Sequence, residues 1–124
     1  MTAGLILFAH GARDPRWAAP FEALAERVRL ARPGVPVRLA YLELMQPSLP
    51  QAGAELVAAG CSMLQVVPLF LGAGGHVRRD LPLLTDALQR AHPGLQVNLH
   101  PPIGEIDSVA AAMAEAAAAT LGLE

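Results

Sequence analysis

The stretch LILFAHGARDP, residues 5–15, decides the fold. Leu5 to Ala9 form an apolar run with no polar break, which predicts a strand covered on both faces, as in a parallel sheet. A histidine, a glycine and a charged turn follow. Asp14 is a good helix N-cap and Pro15 a good first helical residue. The chain therefore leaves a buried strand, turns at Gly11 and enters a helix, which is one step of a β/α repeat. The step leaves an imidazole, His10, at the carboxyl tip of the strand.

Working outward, Trp17, Phe21, Leu24, Val28 and Ala31 recur at helical spacing, and RPG (32–34) closes that helix. PVRLAYLEL (36–44) begins as an alternating edge strand, with Val37, Leu39 and Tyr41 on one face and Arg38 on the other. Ser48 with Gln51 is a capping-box pattern, so a second helix runs to about Ala59 and stops at Gly60. MLQVVPLFL (63–71) reads as a second buried strand, with Pro68 near its carboxyl end. GAGGHVRRDLP (72–82) reads as a glycine-rich loop running into a third helix. LQVNLH (95–100) alternates and reads as the opposite edge strand. An alanine-rich helix spans about 105–121.

Four strands alternating with four helices and no linker predict an α/β fold, a single domain over residues 1–124 with a parallel sheet. The two apolar strands belong in the centre, which gives strand order 2-1-3-4 with helices on both faces. The topological switch point then lies between strands 1 and 3.

Bulk properties narrow the function. A net charge of −2 gives no broad basic footprint for nucleic acid, and an aromatic fraction of 4% is too thin for stacking bases. No apolar run reaches the roughly 18 residues that span a bilayer. The single cysteine, Cys61, forms no disulfide within the chain, and no signal-peptide pattern precedes the first strand, so a cytoplasmic setting is expected. All the basic residues are arginine, which excludes Schiff-base chemistry and a P-loop lysine.

In such sheets ligands bind beyond the carboxyl ends of the strands, at the switch point. His10 follows strand 1, Glu43 follows strand 2, His76 follows strand 3 and His100 ends strand 4. Either of the first two histidines alone reads as structural, but together they flank the switch point. Two imidazoles and a carboxylate suit a divalent Fe, Co, Ni or Zn, and serve equally as proton acceptors near neutral pH. The Gly72, Ala73, Gly74, Gly75 loop offers backbone N–H groups beside a helix start, which favours anions. Arg13, Arg78 and Arg79 add positive charge at the rim. Leu44, Met45, Pro68, Phe70 and Leu71 offer an apolar floor for a large planar ligand. Together these features suggest metal insertion into a polycarboxylated tetrapyrrole.

The blocks HGARDP (10–15), YLELMQPSLP (41–50) and VVPLFLGAGGHVRRDLP (66–82) resemble the small, single-domain class II chelatases of the CbiX type, and the likeness covers essentially the whole chain. The resemblance implies a chelatase-like fold, one half of a two-lobed chelatase. It implies a lyase that inserts Co²⁺, or alternatively Ni²⁺ or Fe²⁺, into sirohydrochlorin without ATP, in tetrapyrrole cofactor biosynthesis such as the cobalamin route. The metal is substrate, and no tightly bound cofactor is expected. His10 and His76 match the paired histidines that bind the metal and accept protons, and Glu43 matches an assisting acid. The expected substrate contacts are Arg13, Met45, Ser48, Leu71, Gly72, Ala73, Gly74 and Gly75. Ala12 stands where serine is common, and residues 77–91 lack the histidine-rich stretch of some members. A homodimer, paired near the strand carboxyl ends, is expected to rebuild the two-lobed cleft. The alternative is a carrier that binds metal or tetrapyrrole without joining them. A histidine phosphatase is disfavoured, since Ala9 stands where such enzymes need arginine.

Overall fold

Leu5 to Ala9 lie at the centre of the structure, in a strand flanked on both sides. In this computed structural model, which describes residues 2–122, β1 (Ala3–Ala9) pairs in parallel with β2 (Val37–Tyr41) and β3 (Met63–Pro68), and β3 pairs with β4 (Gln96–Leu99). The strand order is β2-β1-β3-β4, as the apolar patterning predicts. Between and after the strands run α1 (Ala19–Ala31), α2 (Leu49–Ala58), α3 (Gly75–Ala91) and α4 (Asp107–Ala119). Short 3-10 turns, Pro15–Ala18 and Ile103–Glu105, precede α1 and α4.

The period-2 alternation of each strand sends its side chains to two cores. Ile6, Phe8, Ala40, Leu64 and Val66 pack under α2 and α3 against Leu49, Ala52, Leu56, Leu81 and Leu88. Leu7 and Val37, with Leu5 and Val67 beside them, pack on the opposite face under Ala25 and Val28 of α1. Each large side chain fully buried in these layers contributes about 1.5–3 kcal/mol.

The helix starts follow their local chemistry. Asp14 accepts from the Arg16 amide at 2.9 Å and also pairs with the Arg16 guanidinium, which holds the Asp14 carboxyl below its usual range. Ser48 and Gln51 form the expected capping box: the Gln51 amide donates to Ser48 Oγ at 3.3 Å, and the Ser48 amide donates to Gln51 Oε1 at 2.8 Å.

Three details differ from the sequence reading. β1 is buried on both faces, but β3 alternates between buried and half-buried residues, because no helix fully covers its second face. The segment 72–82, read as a loop running into the third helix, is helical from Gly75 onward, so His76 lies in the first turn of α3. Pro82 sits inside that helix, where it lacks the N–H for one backbone bond, and Thr85 Oγ1 bonds back to the Leu81 and Pro82 carbonyls. Finally, α4 forms as expected but buries none of its residues.

Candidate functional site at the carboxyl edge of the sheet

His10 emerges from β1 with its backbone clamped on one side and its ring braced on the other. Beyond the strand ends, the Leu42 amide donates to the Ala9 carbonyl at 2.9 Å and the Glu43 amide to the His10 carbonyl at 3.1 Å. On the β3 side, the Leu69 amide donates to the Phe8 carbonyl at 2.7 Å. The exposed imidazole of His10 lies against the ring of buried Phe70, with centroids 4.7 Å apart. A rigid sheet thus delivers a solvent-facing donor whose orientation is set by packing.

Gly11 is required here. Its φ is +96°, a left-handed conformation that favours glycine, and a Cβ on it would collide with the Glu43 carbonyl oxygen. The close approach brings Glu43, itself exposed, directly beside the His10 turn. Leu44, next along, has φ of +67° and is 59% exposed. A leucine held in the left-handed region costs about 1–2 kcal/mol, so this apolar side chain is presented at the edge at some expense to the fold.

His76 reaches the same edge from β3. It is exposed, in the first turn of α3, with Gly74 as N-cap. That end of a helix carries unpaired N–H groups and partial positive charge, which favours carboxylates. The loop before it is anchored from β4: the Gly104 amide donates to the Phe70 carbonyl at 2.9 Å, and Gly104 lies so close to the Leu71 backbone that a Cβ would collide with it. Arg78 Nη2 bonds Glu105 Oε2 at 2.7 Å and ties the start of α3 to the same turn. Leu71 is 72% exposed beside these anchors.

The other expected site residues divide. Arg13, Gly72, Gly74 and Gly75 are exposed, and Ala73 is half-buried. Met45 is half-buried against Ala9, Ala18 and Tyr41. Ser48 is engaged in its helix cap, which accounts for it structurally. Burial, with Glu22 nearby, raises the Tyr41 hydroxyl above its ordinary range. Among the described residues, no three His, Cys, Asp or Glu side chains gather to hold a metal. The described residues therefore present exposed imidazoles at this edge rather than a closed cage.

Sequence reasoning gave little weight to the surroundings of His100. A cavity of about 380 Å³ is lined by Ala73, Arg78, Leu81, His100, Pro102 and Glu105 among others, on the β4 side of His76. His100 Nε2 lies 2.6 Å from Gln65 Oε1. The proline pair after His100 signals a turn, but its closure against the loop after β3 is a long-range contact with no local signature. No described helix is long and apolar enough to cross a membrane.

Residues 4–120 match the family model described as CbiX. A sirohydrochlorin cobaltochelatase of Methanocaldococcus jannaschii is 33% identical over 88 residues, covering 71% of this chain and 62% of that protein. One from Saccharolobus islandicus is 36% identical over 81 residues, covering 65% and 62%. The chain thus matches about three-fifths of the length of these curated relatives. Among solved structures, one described as a cobalamin (vitamin B12) biosynthesis CbiX protein, from Marinobacter aquaeolei VT8, superposes with a TM-score of 0.86 at 35% identity, covering 97% of this chain and 98% of that one. The sirohydrochlorin chelatase SirB of Bacillus subtilis subspecies spizizenii, in complex with cobalt, gives 0.74 at 25% identity, covering 93% of this chain and 49% of that one.

Proposed function

The chain belongs to the CbiX family, and on that premise we propose that it inserts a divalent metal into sirohydrochlorin without ATP, as a lyase of tetrapyrrole cofactor biosynthesis. The supporting observation is that His10 and His76 follow adjacent strands to one sheet edge and are both exposed. Metal insertion replaces two pyrrole N–H protons with one M²⁺. A site for it must hold the metal briefly and take up protons, and imidazole does both. An open pair of ligands suits handover better than a four-ligand structural site would.

In this reading His10 and His76 bind the incoming metal and accept protons, and Glu43 beside the His10 turn assists. The start of α3, with Gly72, Ala73, Gly74 and Gly75, receives substrate carboxylates, and Arg13 adds charge at the rim. Leu44, Met45 and Leu71 offer apolar contact to the macrocycle. Co²⁺ is the first expectation, supported by the cobaltochelatase relatives and the cobalt complex of SirB, with Ni²⁺ and Fe²⁺ close behind because imidazole suits all three. The 124-residue chain acts as one chelatase-like unit in the cytoplasm, and a homodimer supplies the second lobe.

Visible spectroscopy tests the proposal. Purified protein is mixed with sirohydrochlorin and Co²⁺, and the rate is compared with the slow protein-free reaction. Acceleration with turnover supports the enzyme. Tight binding without acceleration overturns it in favour of a carrier.

A further inference from the structure

The cavity of about 380 Å³ beside His76 has walls of two kinds. Leu81, Pro82, Leu99 and the Pro101–Pro102 pair are apolar, while Arg78 and Glu105 bring opposite charges. His100 also lines it, with Nε2 engaged 2.6 Å from Gln65 Oε1. Arg78 is the one arginine in this lining.

Arg78 is held, but lightly. Its Nη2 bonds Glu105 Oε2 at 2.7 Å, with the two side chains 57% and 37% exposed. An ion pair this wet adds little net stability. The turn does not depend on it either. The Gly104 amide donates to the Phe70 carbonyl and the Glu105 amide to the Pro102 carbonyl, each at 2.9 Å, so the backbone is fixed without the side chains. Among the described residues, Nη2 is the one Arg78 guanidinium nitrogen with a hydrogen-bond partner. The rest of its fork-shaped donor set is open to a second acceptor. Opening the pair therefore costs little and moves no backbone.

The placement suits a large ligand. β1, β3 and β4 are neighbours in that order. His10 lies past β1 and the cavity past β4, two strand spacings or about 10 Å across the edge. That is the scale separating the central nitrogens of a tetrapyrrole from the carboxylates on its rim. An aliphatic carboxylate matches the walls: methylenes against the prolines and leucines, and two oxygens against a guanidinium, the geometry of a bidentate pair. A metal cation is disfavoured beside Arg78.

We propose that this cavity takes one carboxylate arm of the tetrapyrrole, and that Arg78 exchanges Glu105 for the arm as the substrate enters. Glu105 keeps the guanidinium oriented until then and competes with the arm afterwards. The inference rests on the proposed function, which supplies a polycarboxylated ligand at this edge. It makes Arg78 a specificity-determining residue, one that selects macrocycles with a carboxylate arm at that point of the rim.

Equilibrium titration of the full chain with metal-free sirohydrochlorin, followed by visible absorbance, tests the exchange without turnover. Arg78→Gln is expected to raise Kd about tenfold, the worth of a hydrogen bond to a charged group. Glu105→Gln is expected to lower Kd several-fold, because Arg78 loses its competitor. Arg90→Gln changes net charge equally from the exposed last turn of α3, and at about 0.15 M salt it should leave Kd within about twofold. The opposite signs are decisive. Both cavity variants break the same ion pair, so a merely structural latch would weaken binding in both. Shifts in the same direction, or an Arg78→Gln effect no larger than that of Arg90→Gln, would overturn the exchange. If the wild type binds and metallates sirohydrochlorin while Arg78→Gln binds it equally well, the subsite falls and the chelatase reading stands. A wild type that does not bind it overturns both.

Discussion

The imidazole of His10, just past β1, rests on the ring of Phe70, just past β3, with centroids 4.7 Å apart. Phe70 also meets Phe8 in the core at 6.3 Å, so the orientation of the histidine is coupled to the packing of the sheet. Phe70 touches no reacting atom in the proposed reaction and acts as a positioning residue. Phe70→Leu keeps an apolar core residue and should cost less than ~1.5 kcal/mol of stability. The expected kinetic result is a fall of about tenfold in kcat with KM little changed, measured by sirohydrochlorin metallation. An unchanged kcat would show that the ring does not position His10.

Gly11→Ala tests the junction between His10 and Glu43. The new Cβ meets the Glu43 carbonyl, and the backbone must hold φ of +96°. A loss of at least about 2 kcal/mol is expected from strain and displacement together, measured by urea unfolding. A neutral effect would mean that the loop after β2 yields freely and that Glu43 is not fixed beside His10.

Leu44→Gly separates folding from binding. Glycine relieves the left-handed backbone at φ of +67°, so stability should rise or hold, by up to about 1 kcal/mol. Removal of the exposed side chain should at the same time raise KM for the tetrapyrrole several-fold. If binding is unchanged, Leu44 contributes nothing to substrate recognition.

Ser48→Ala bears on the capping box. The cap bonds at 3.3 and 2.8 Å predict a loss of about 1 kcal/mol in unfolding free energy with KM unaltered. A raised KM at unchanged stability would assign Ser48 to the substrate instead.

Cys61 is buried, and burial pushes its thiol above the ordinary range, against a smaller opposing effect of Arg38. Less thiolate at a given pH means slower reaction with disulfide reagents. Native protein should react far more slowly than unfolded protein at pH 8, and equal rates would place Cys61 at the surface.

Much of the architecture was legible because burial leaves its period in the sequence. The unbroken run from Leu5 to Ala9 placed β1 centrally, and the alternation around Arg38 placed β2 at the edge, where Arg38 Nε bonds Glu55 Oε1 of α2 at 3.0 Å. The placement of His10 and His76 at one edge followed from strand order alone. The helical course of residues 75–82 was only partly legible, because Gly75 and Pro82 are helix-disfavouring, while tertiary packing of Leu81 and Leu88 overrides local propensity. The exposure of α4 was invisible because alanine marks neither a core stripe nor a solvated face. The collision that fixes Gly11 against Glu43, and the brace of Phe70 on His10, join distant segments and have no local signal.

The central claim is that His10 and His76 act as one pair, and the most direct test is the initial rate of Co²⁺ insertion into sirohydrochlorin by His10→Ala, His76→Ala and the double variant, followed by visible absorbance. With folding verified by circular dichroism, each single variant should lose about 100-fold or more and fall towards the protein-free rate, with little further loss in the double variant, as expected of residues that work as a unit. A single variant that keeps most of the wild-type rate would contradict the pairing.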